Sequence, residues 1–569
     1  MEKTSLQSTS SPITVDMLIV GAGITGLYQL YRARQAGLKA ILLEAGEGVG
    51  GTWFWNRYPE ARFDSESYTY AYLFSRELYN EWHWSEHFAG QPEVERYLNH
   101  VADRFDLRRD IRLGAKVTSA VFDEQSGSYA VSAGDGSRYI ARYLVAATGV
   151  LSVPFFPSVP GREDFVGDSY HTGLWPSTPV DFKGKRVAII GTGSSGVQLI
   201  PAIAGDVASV TVYQRSPNWC TPLNNAPISQ EQQIELRSNF ETIKHTLDTA
   251  ISGFLHEPYA HASTEHSKEE RTAFFEKLWN SPGFSKMTSN YSDFFTNRGL
   301  REEFSQFIAG KIRAIVKDPN TADKLIPKDH IYAEKRPPYA TGFYEAFNNP
   351  KVKLVSLEET PILRVTADGI ETAEGVEQFD IIVWATGFDF ARALQRMGIR
   401  GRGGVALEDA WKDGPSTFLG IQAAGFPNLF FPGGPHGAAA NNPRYNGDQV
   451  DFTMELLAHA GERGFDIIEP TPEAEDEWSN IMNAMAVYSP FSPEHSYYFG
   501  ANIPGKPRKF LLNPAGRGLL FDVMGKSRQA GFASFSMSSA AAGHPGSTAA
   551  GGRPVAAEKP VAESQESAL

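Results

Sequence analysis

The chain has a single cysteine, Cys220, in 569 residues. One cysteine excludes an intrachain disulfide framework, a cysteine-rich zinc or iron–sulfur site and a Cys-x-x-Cys redox pair. It suits a reducing compartment, so the cytoplasm is the expected location. Positive charge is also scarce: 53 Lys and Arg face 66 Asp and Glu, a formal net charge of −13. That balance argues against non-specific nucleic-acid binding, which needs a basic surface. No apolar run reaches the roughly 18 residues that suggest a membrane-spanning helix. The polar stretch Met1–Pro12 lacks the apolar centre of a secretory leader. The expected partners are therefore small molecules, with no nucleic acid, no membrane and no protein partner evident. Residues 537–569 contain no aromatic residue and are rich in Ala, Gly, Ser and Pro, which predicts a disordered tail.

Glycine and aromatics are plentiful, with Gly 53, Trp 10, Tyr 22 and Phe 36. Two glycine clusters carry information. An apolar strand, Asp16 to Val20, runs into Gly21-Ala22-Gly23-Ile24-Thr25-Gly26, and a helical pattern follows. A second strand, Ala40 to Leu43, ends at Glu44. This strand, Gly-x-Gly-x-x-Gly, helix and acid together form the dinucleotide fingerprint: the glycines allow a tight turn, and the acid accepts from a ribose diol. The pattern recurs at Lys185 to Ile190 and Gly191-Thr192-Gly193-Ser194-Ser195-Gly196, but its second strand ends at Arg215. An acid there would repel a 2′-phosphate, whereas Arg pairs with it. The first site therefore reads as FAD or NAD, the second as NADP.

Val145-Ala146-Ala147-Thr148-Gly149 and Val383-Trp384-Ala385-Thr386-Gly387 each follow an apolar strand and suit crossings between two nucleotide domains. Between them, Leu236, Phe240, Ile243, Leu247, Ile251 and Phe254 recur at helical spacing, as do Leu300, Phe304, Ile308, Ile312 and Ile315. The expected class is α/β, with two Rossmann-like domains and a helical insertion in the NADP domain. The expected organisation is a flexible start (1–13), FAD domain (14–150 and 385–536), linker and NADP domain (151–222 and 332–384), insertion (223–331) and tail (537–569).

Two loops point further. Gly50-Gly51-Thr52-Trp53 leads through Tyr58-Pro59 to Asp64; its glycines allow close approach to a flat ring, and its tryptophans could wall that ring. Asp64 by itself reads equally well as a turn or capping acid. The second loop, Phe165 to Pro176, brings His171, Trp175 and Pro176 together.

The second loop resembles the Phe-x-Gly-x-x-x-His-x-x-x-Trp-Pro/Asp signature of the Baeyer–Villiger monooxygenases, matched at Phe165, Gly167, His171, Trp175 and Pro176. The first resembles the same family's Gly-Gly-x-Trp-x(4)-Tyr-Pro-x(4)-Asp motif, with Glu60 where the family usually has Gly or Met. The resemblance spans about residues 14 to 535. It implies an NADPH- and O2-dependent flavoprotein that converts ketones to esters or lactones through a C4a-peroxyflavin and a Criegee intermediate, with sulfoxidation as a side activity. By similarity, Gly21, Gly23, Thr25, Gly26, Glu44, Gly51, Thr52, Trp53, Asp64 and Tyr70 would line FAD. Gly191, Gly193, Ser194, Ser195, Gly196 and Gln198 would meet NADPH, with Arg215 and Lys335 on its 2′-phosphate. Arg336, positioned by Asp64, would be the active-site arginine. A charged group beside a peroxide anion must stay protonated, and Arg does. His171 reads as a hinge and domain-orientation residue. The segment Ser496 to Lys506 resembles the family's mobile loop, with Tyr497 where a cofactor-contacting Trp is usual. Small residues in Gly433 to Arg444 would leave room for a bulky ketone.

Two other readings use the same sites: an N- or S-oxygenase of the same flavoprotein class, and a non-catalytic NADP/FAD-binding sensor. A disulfide reductase shares the two-nucleotide layout but needs a redox cysteine pair, which this chain lacks.

Overall fold

The computed structural model describes residues 11–437 and 440–540. Two sheets organise them, and each is centred on one fingerprint strand. In the first, an eight-stranded sheet, Ile13–Val20 lies between Ala40–Leu43 and Arg138–Ala146, parallel to both. In the second, a five-stranded parallel sheet, Arg186–Ile190 lies between Ser209–Gln214 and Ile381–Trp384. The central strands are nearly continuous apolar runs because helices cover both faces of such sheets. Leu18, Ile19, Ala188 and Ile189 are fully buried.

The same local device closes both turns. Gly21 N–H donates to the Leu43 carbonyl at 2.7 Å, and Gly191 N–H donates to that of Tyr213 at 2.9 Å. Both glycines have positive φ, 107° and 109°. A Cβ on Gly21 would meet the Ala147 carbonyl oxygen at 2.5 Å, and one on Gly191 would meet that of Ala385 at 2.4 Å. The two Ala-Thr-Gly segments are thus packed onto the first glycine of their own fingerprint. Only a residue without a side chain permits that approach.

Beyond these contacts the two segments leave the sheets side by side. Phe155 N–H donates to the Gly387 carbonyl at 2.9 Å, and Asp389 N–H donates to that of Val153 at 2.9 Å. Gly149 and Gly387 both turn with positive φ.

The insertion is helical, with Gln230–Ser238, Phe240–Thr249, Lys268–Trp279, Arg298–Ile315 and Pro319–Leu325. Its expected first stripe is not one helix. The backbone breaks at Asn239 and again after Thr249, leaving Ile251 70 % exposed. The insertion also divides between two cores. Phe240, Ile243 and Leu247 pack with the first fingerprint helix, Ile24–Gln35, whereas Phe275, Phe304 and Ile308 pack with the second, Ser194–Ile203.

The expected tail starts later than residue 537. Phe535–Ser538 forms a strand antiparallel to Ile467–Pro470, with Met537 opposite Ile468. The weakly apolar sequence there gains its order from a partner strand. The rest of the expected tail, 541–569, and the expected flexible start up to residue 10 lie outside the described residues. Among the described residues no helix is long and apolar enough to cross a membrane, and no cluster of side chains could hold a metal ion.

Candidate active site

Three stretches of chain meet at Arg336. Its Nη2 donates to Asp64 Oδ2 at 2.5 Å and its Nη1 to Ser194 Oγ at 3.1 Å. Asp64 comes from the loop after the first fingerprint, and Ser194 opens the second fingerprint helix. From the insertion, the Phe284 ring lies under the guanidinium, 5.2 Å from ring centre to Cζ. Arg336 and Asp64 side chains are 18 % and 15 % exposed, shielded but reachable. Burial works to lower the Arg336 pKa, but the Asp64 carboxylate beside it raises the net value above the ordinary arginine range. The guanidinium is therefore charged at every working pH.

Phe284 also stacks on Phe254 at 5.3 Å and meets Tyr339 edge-on at 5.0 Å. The neighbouring Lys286 is fully buried, and its Nζ donates to the Ser281 carbonyl. It has no carboxylate partner among the described residues, and burial lowers its pKa to about 7. Neither Phe284 nor Lys286 carries a sequence signal, since a lone aromatic or lysine in a helical region reads as core or surface.

Neither fingerprint helix has a side-chain cap or an acid in its first turn. Their first amides are left for an anion, the arrangement that receives a dinucleotide pyrophosphate. Glu44 is buried at the end of its strand, its oxygens accepting from Ala22 N–H at 2.7 Å and Gly46 N–H at 2.8 Å. Burial raises its pKa, while those two amides act to lower it. Gly51, at φ 55°, lies so close to Gly23 that a Cβ would meet its Cα at 2.7 Å. Thr25 Oγ1 accepts from Asn446 Nδ2 at 2.8 Å, tying the first fingerprint helix to the helix Asn442–Glu462.

On the second site, Arg215 is exposed and has no ion-pair partner among the described residues. Lys335, across from it, makes one loose ion pair, 3.8 Å to Asp329. Burial lowers the Lys335 pKa, and the like charge of Arg215 adds to that effect. Two cations with no close carboxylate among the described residues fit a phosphate. The residues present thus fit both FAD and NADPH.

Several of the expected site residues also bond within the protein. Trp53 is buried against Phe63 and Tyr70, its Nε1 donating to the Tyr70 hydroxyl at 3.0 Å. Gln198 spends its amide on the other half of the molecule, accepting from the Tyr58 hydroxyl at 2.8 Å and donating to the Arg62 carbonyl at 3.1 Å. Thr52 is exposed, and Ser195 Oγ lies 3.1 Å from Thr172 Oγ1. Glu60 has φ 62°, the left-handed region, which gives a physical reason for glycine at that place.

The second loop is a packing unit. A Cβ on Gly167 would meet the Phe165 ring at 2.6 Å and the Asp380 carbonyl oxygen at 2.7 Å. His171 lies between Phe156 and Phe388, its Nδ1 accepting from Gly173 N–H at 2.9 Å. Burial lowers its pKa to about 4, so the ring is neutral. Trp175 N–H donates to the Trp55 carbonyl at 3.2 Å, and the adjoining Pro176 is half-buried. The Tyr497 ring packs at a tilt against Tyr498, 4.4 Å between centres, and against Phe390, 6.2 Å. His436 is buried with φ 64° and bonds the Phe510 carbonyl through Nε2 at 3.0 Å; this is a folding role. Two alanines of that loop, 438 and 439, lie outside the described residues.

Residues 18–274 match the family described as pyridine nucleotide-disulphide oxidoreductase. Cys220 is buried and free, so disulfide exchange is not available to this chain. The chain is 42 % identical over 487 residues to 2-oxo-Δ3-4,5,5-trimethylcyclopentenylacetyl-CoA monooxygenase of Pseudomonas putida, covering 84 % of this chain and 88 % of that protein. It is 38 % identical over 523 residues to a Baeyer–Villiger monooxygenase of Pseudooceanicola batsensis, covering 91 % and 95 %. Among solved structures, the OTEMO complex with FAD and NADP superposes with a TM-score of 0.89 at 39 % identity, covering 93 % of this chain and 100 % of that one.

Proposed function

The chain belongs to the Baeyer–Villiger monooxygenases, and we propose from that premise that Arg336 and Asp64 are the groups around which its reaction is built. It is an FAD-containing, NADPH-dependent enzyme that inserts one atom of O2 beside a ketone carbonyl, giving an ester or lactone and water. FAD and NADPH, when bound, supply the electrons and the activated oxygen.

The observation that carries the site assignment is the convergence of Asp64, Ser194 and Arg336. A ketone oxygen gains negative charge as its carbonyl carbon is attacked. A fixed cation beside that oxygen lowers the barrier because it needs no reorganisation. Arg336 supplies the cation, and Asp64 fixes its direction through the 2.5 Å contact. The Phe284 face beneath excludes water and adds a cation–π contact of about 1 kcal/mol. Ser194 places the same guanidinium at the mouth of the second nucleotide site. His171 is proposed as a hinge and orientation residue, since a buried neutral ring with a pKa near 4 is a poor base. Glu44 is proposed to hold the FAD ribose, and Arg215 and Lys335 the 2′-phosphate.

A small-molecule ketone is the proposed substrate, and oxidation of thioethers the proposed side reaction. The cytoplasm is the proposed location. NADPH oxidation with and without a panel of linear, cyclic and aryl ketones, followed by product analysis, tests the reading. Ketone-dependent consumption with ester formation supports it. Consumption indifferent to ketones and yielding only peroxide overturns it.

A further inference from the structure

Behind Lys335, one carboxylate is shared three ways. Asp329 Oδ1 contacts His330 Nδ1 at 2.6 Å, and Oδ2 faces both Lys335 Nζ at 3.8 Å and His495 Nδ1 at 3.5 Å. His495 belongs to the loop that continues into Tyr497 and Tyr498. Burial works against the Asp329 charge, but His330, Lys335 and His495 together hold its carboxyl below the usual carboxylate range. His330, its pKa lowered by burial to about 4, is a neutral hydrogen-bond partner, and the cation Lys335 stays 3.8 Å away, so Oδ2 is shared by two partners and close to neither.

The loop is fixed at both ends by other means. Ser492 N–H donates to the Glu334 carbonyl at 2.8 Å, next to Lys335 in sequence. Lys506 pairs with Asp389 at 2.5 Å, and Asn502 donates to the Phe388 carbonyl at 2.8 Å. Between these anchors, His495 is the side chain that reaches Asp329. On the far side of the cluster, Asn218 lies 3.3 Å from His330 Nε2 and donates to the Arg336 carbonyl at 2.9 Å. The cluster therefore touches the loop, the phosphate-side lysine and the backbone of the active-site arginine.

We propose that Asp329 is a positioning residue that couples recognition of the cofactor's 2′-phosphate to closure of the loop carrying His495. The proposal rests on the reading of Lys335 and Arg215 as the 2′-phosphate site. A dianionic phosphate draws Lys335 away from a carboxylate it already holds loosely. Oδ2 then pairs with His495 alone, and the loop with Tyr497 and Tyr498 is held more tightly. A dinucleotide lacking the 2′-phosphate leaves Lys335 beside Asp329 and does not tighten the loop. NADPH would thus be selected twice, once by its own contacts and once by the loop it closes.

The test is amide hydrogen exchange of residues 489–506 in the FAD-loaded protein, with saturating NADP⁺ or NAD⁺, and with binding of each nucleotide measured in parallel by flavin fluorescence. NADP⁺ should slow exchange of the loop roughly threefold or more beyond NAD⁺, the scale of one partly shielded polar contact. In Asp329→Asn and in His495→Gln, NADP⁺ should still bind but the difference from NAD⁺ should vanish. His495 is on a half-exposed loop, so its variant answers the question if Asp329→Asn fails to fold. Equal protection by both nucleotides in the unaltered protein, or undiminished NADP⁺ protection in His495→Gln, overturns the coupling while leaving the cofactor reading intact. Failure of NADP⁺ to bind the unaltered protein overturns the cofactor reading, and the coupling with it.

Discussion

Arg336 Nη2 and Asp64 Oδ2 lie 2.5 Å apart although 272 residues separate them in the chain. The contact joins the loop after the FAD fingerprint to the segment behind the NADP fingerprint. Asp64→Asn keeps the size of the side chain and removes the charge that aims the guanidinium. Ester formation should fall by about 100-fold, the scale of misplacing one electrostatic stabiliser. Flavin reduction by NADPH, read by the loss of flavin absorbance in stopped flow, should change little. Loss of reduction in parallel with ester formation would show that Asp64 acts on cofactor binding instead.

Arg215 and Lys335 define the second prediction. Arg215→Ala should raise KM for NADPH by roughly tenfold to a hundredfold, the worth of a charge-assisted contact to phosphate. KM for NADH should hardly move, because that cofactor has no 2′-phosphate. Steady-state kinetics with both cofactors decides the matter, and equal effects on the two would assign Arg215 elsewhere.

Lys286 makes stability depend on pH. Burial lowers its folded pKa to about 7, while an unfolded lysine titrates near 10.4. Between those values the unfolded chain binds more protons, so stability rises with pH over that window and is lowest below it. Lys286→Met should remove this rise and stabilise the protein at pH 7 by on the order of a few kcal/mol. The Ser281 carbonyl it leaves still accepts from Asn224 Nδ2 at 2.9 Å, so no buried acceptor is orphaned. Urea melts at pH 7 and pH 9.5 check this; a variant less stable at both would show that the amine is held by a favourable contact.

Glu60 occupies the left-handed region, at φ 62°, which costs a side-chain-bearing residue about 1 kcal/mol or more. Its carboxylate also pairs with Arg62 at 2.5 Å, but Glu60 is 55 % exposed there and such pairs contribute about 0–1 kcal/mol. Glu60→Gly should therefore raise the melting midpoint slightly. A clear fall would mean that the ion pair outweighs the backbone strain.

What was legible in the sequence was what is local. Gly21, Gly26, Gly191 and Gly196 are required by contacts within a few residues or with one adjacent strand, so their spacing carries their meaning. The two nucleotide folds and the crossings between them follow from that. The stripe from Leu236 to Phe254 misled because hydrophobic period does not record a break at Asn239, nor that Phe240 and Phe254 enter different clusters. Phe284 beneath Arg336 and the sharing of Asp329 by His330, Lys335 and His495 arise from tertiary convergence. No spacing encodes them. Met537 opens the aromatic-free stretch whose composition predicts a tail; its order comes from the strand opposite.

The central claim, that Arg336 serves oxygen insertion and not flavin reduction, is tested most directly by turnover under ¹⁸O2 with product mass measured for the unaltered enzyme and Arg336→Ala. The unaltered enzyme should place one labelled oxygen in the ester. Arg336→Ala should still oxidise NADPH, release peroxide and yield no labelled ester. Labelled ester from the variant at the unaltered rate would contradict the account.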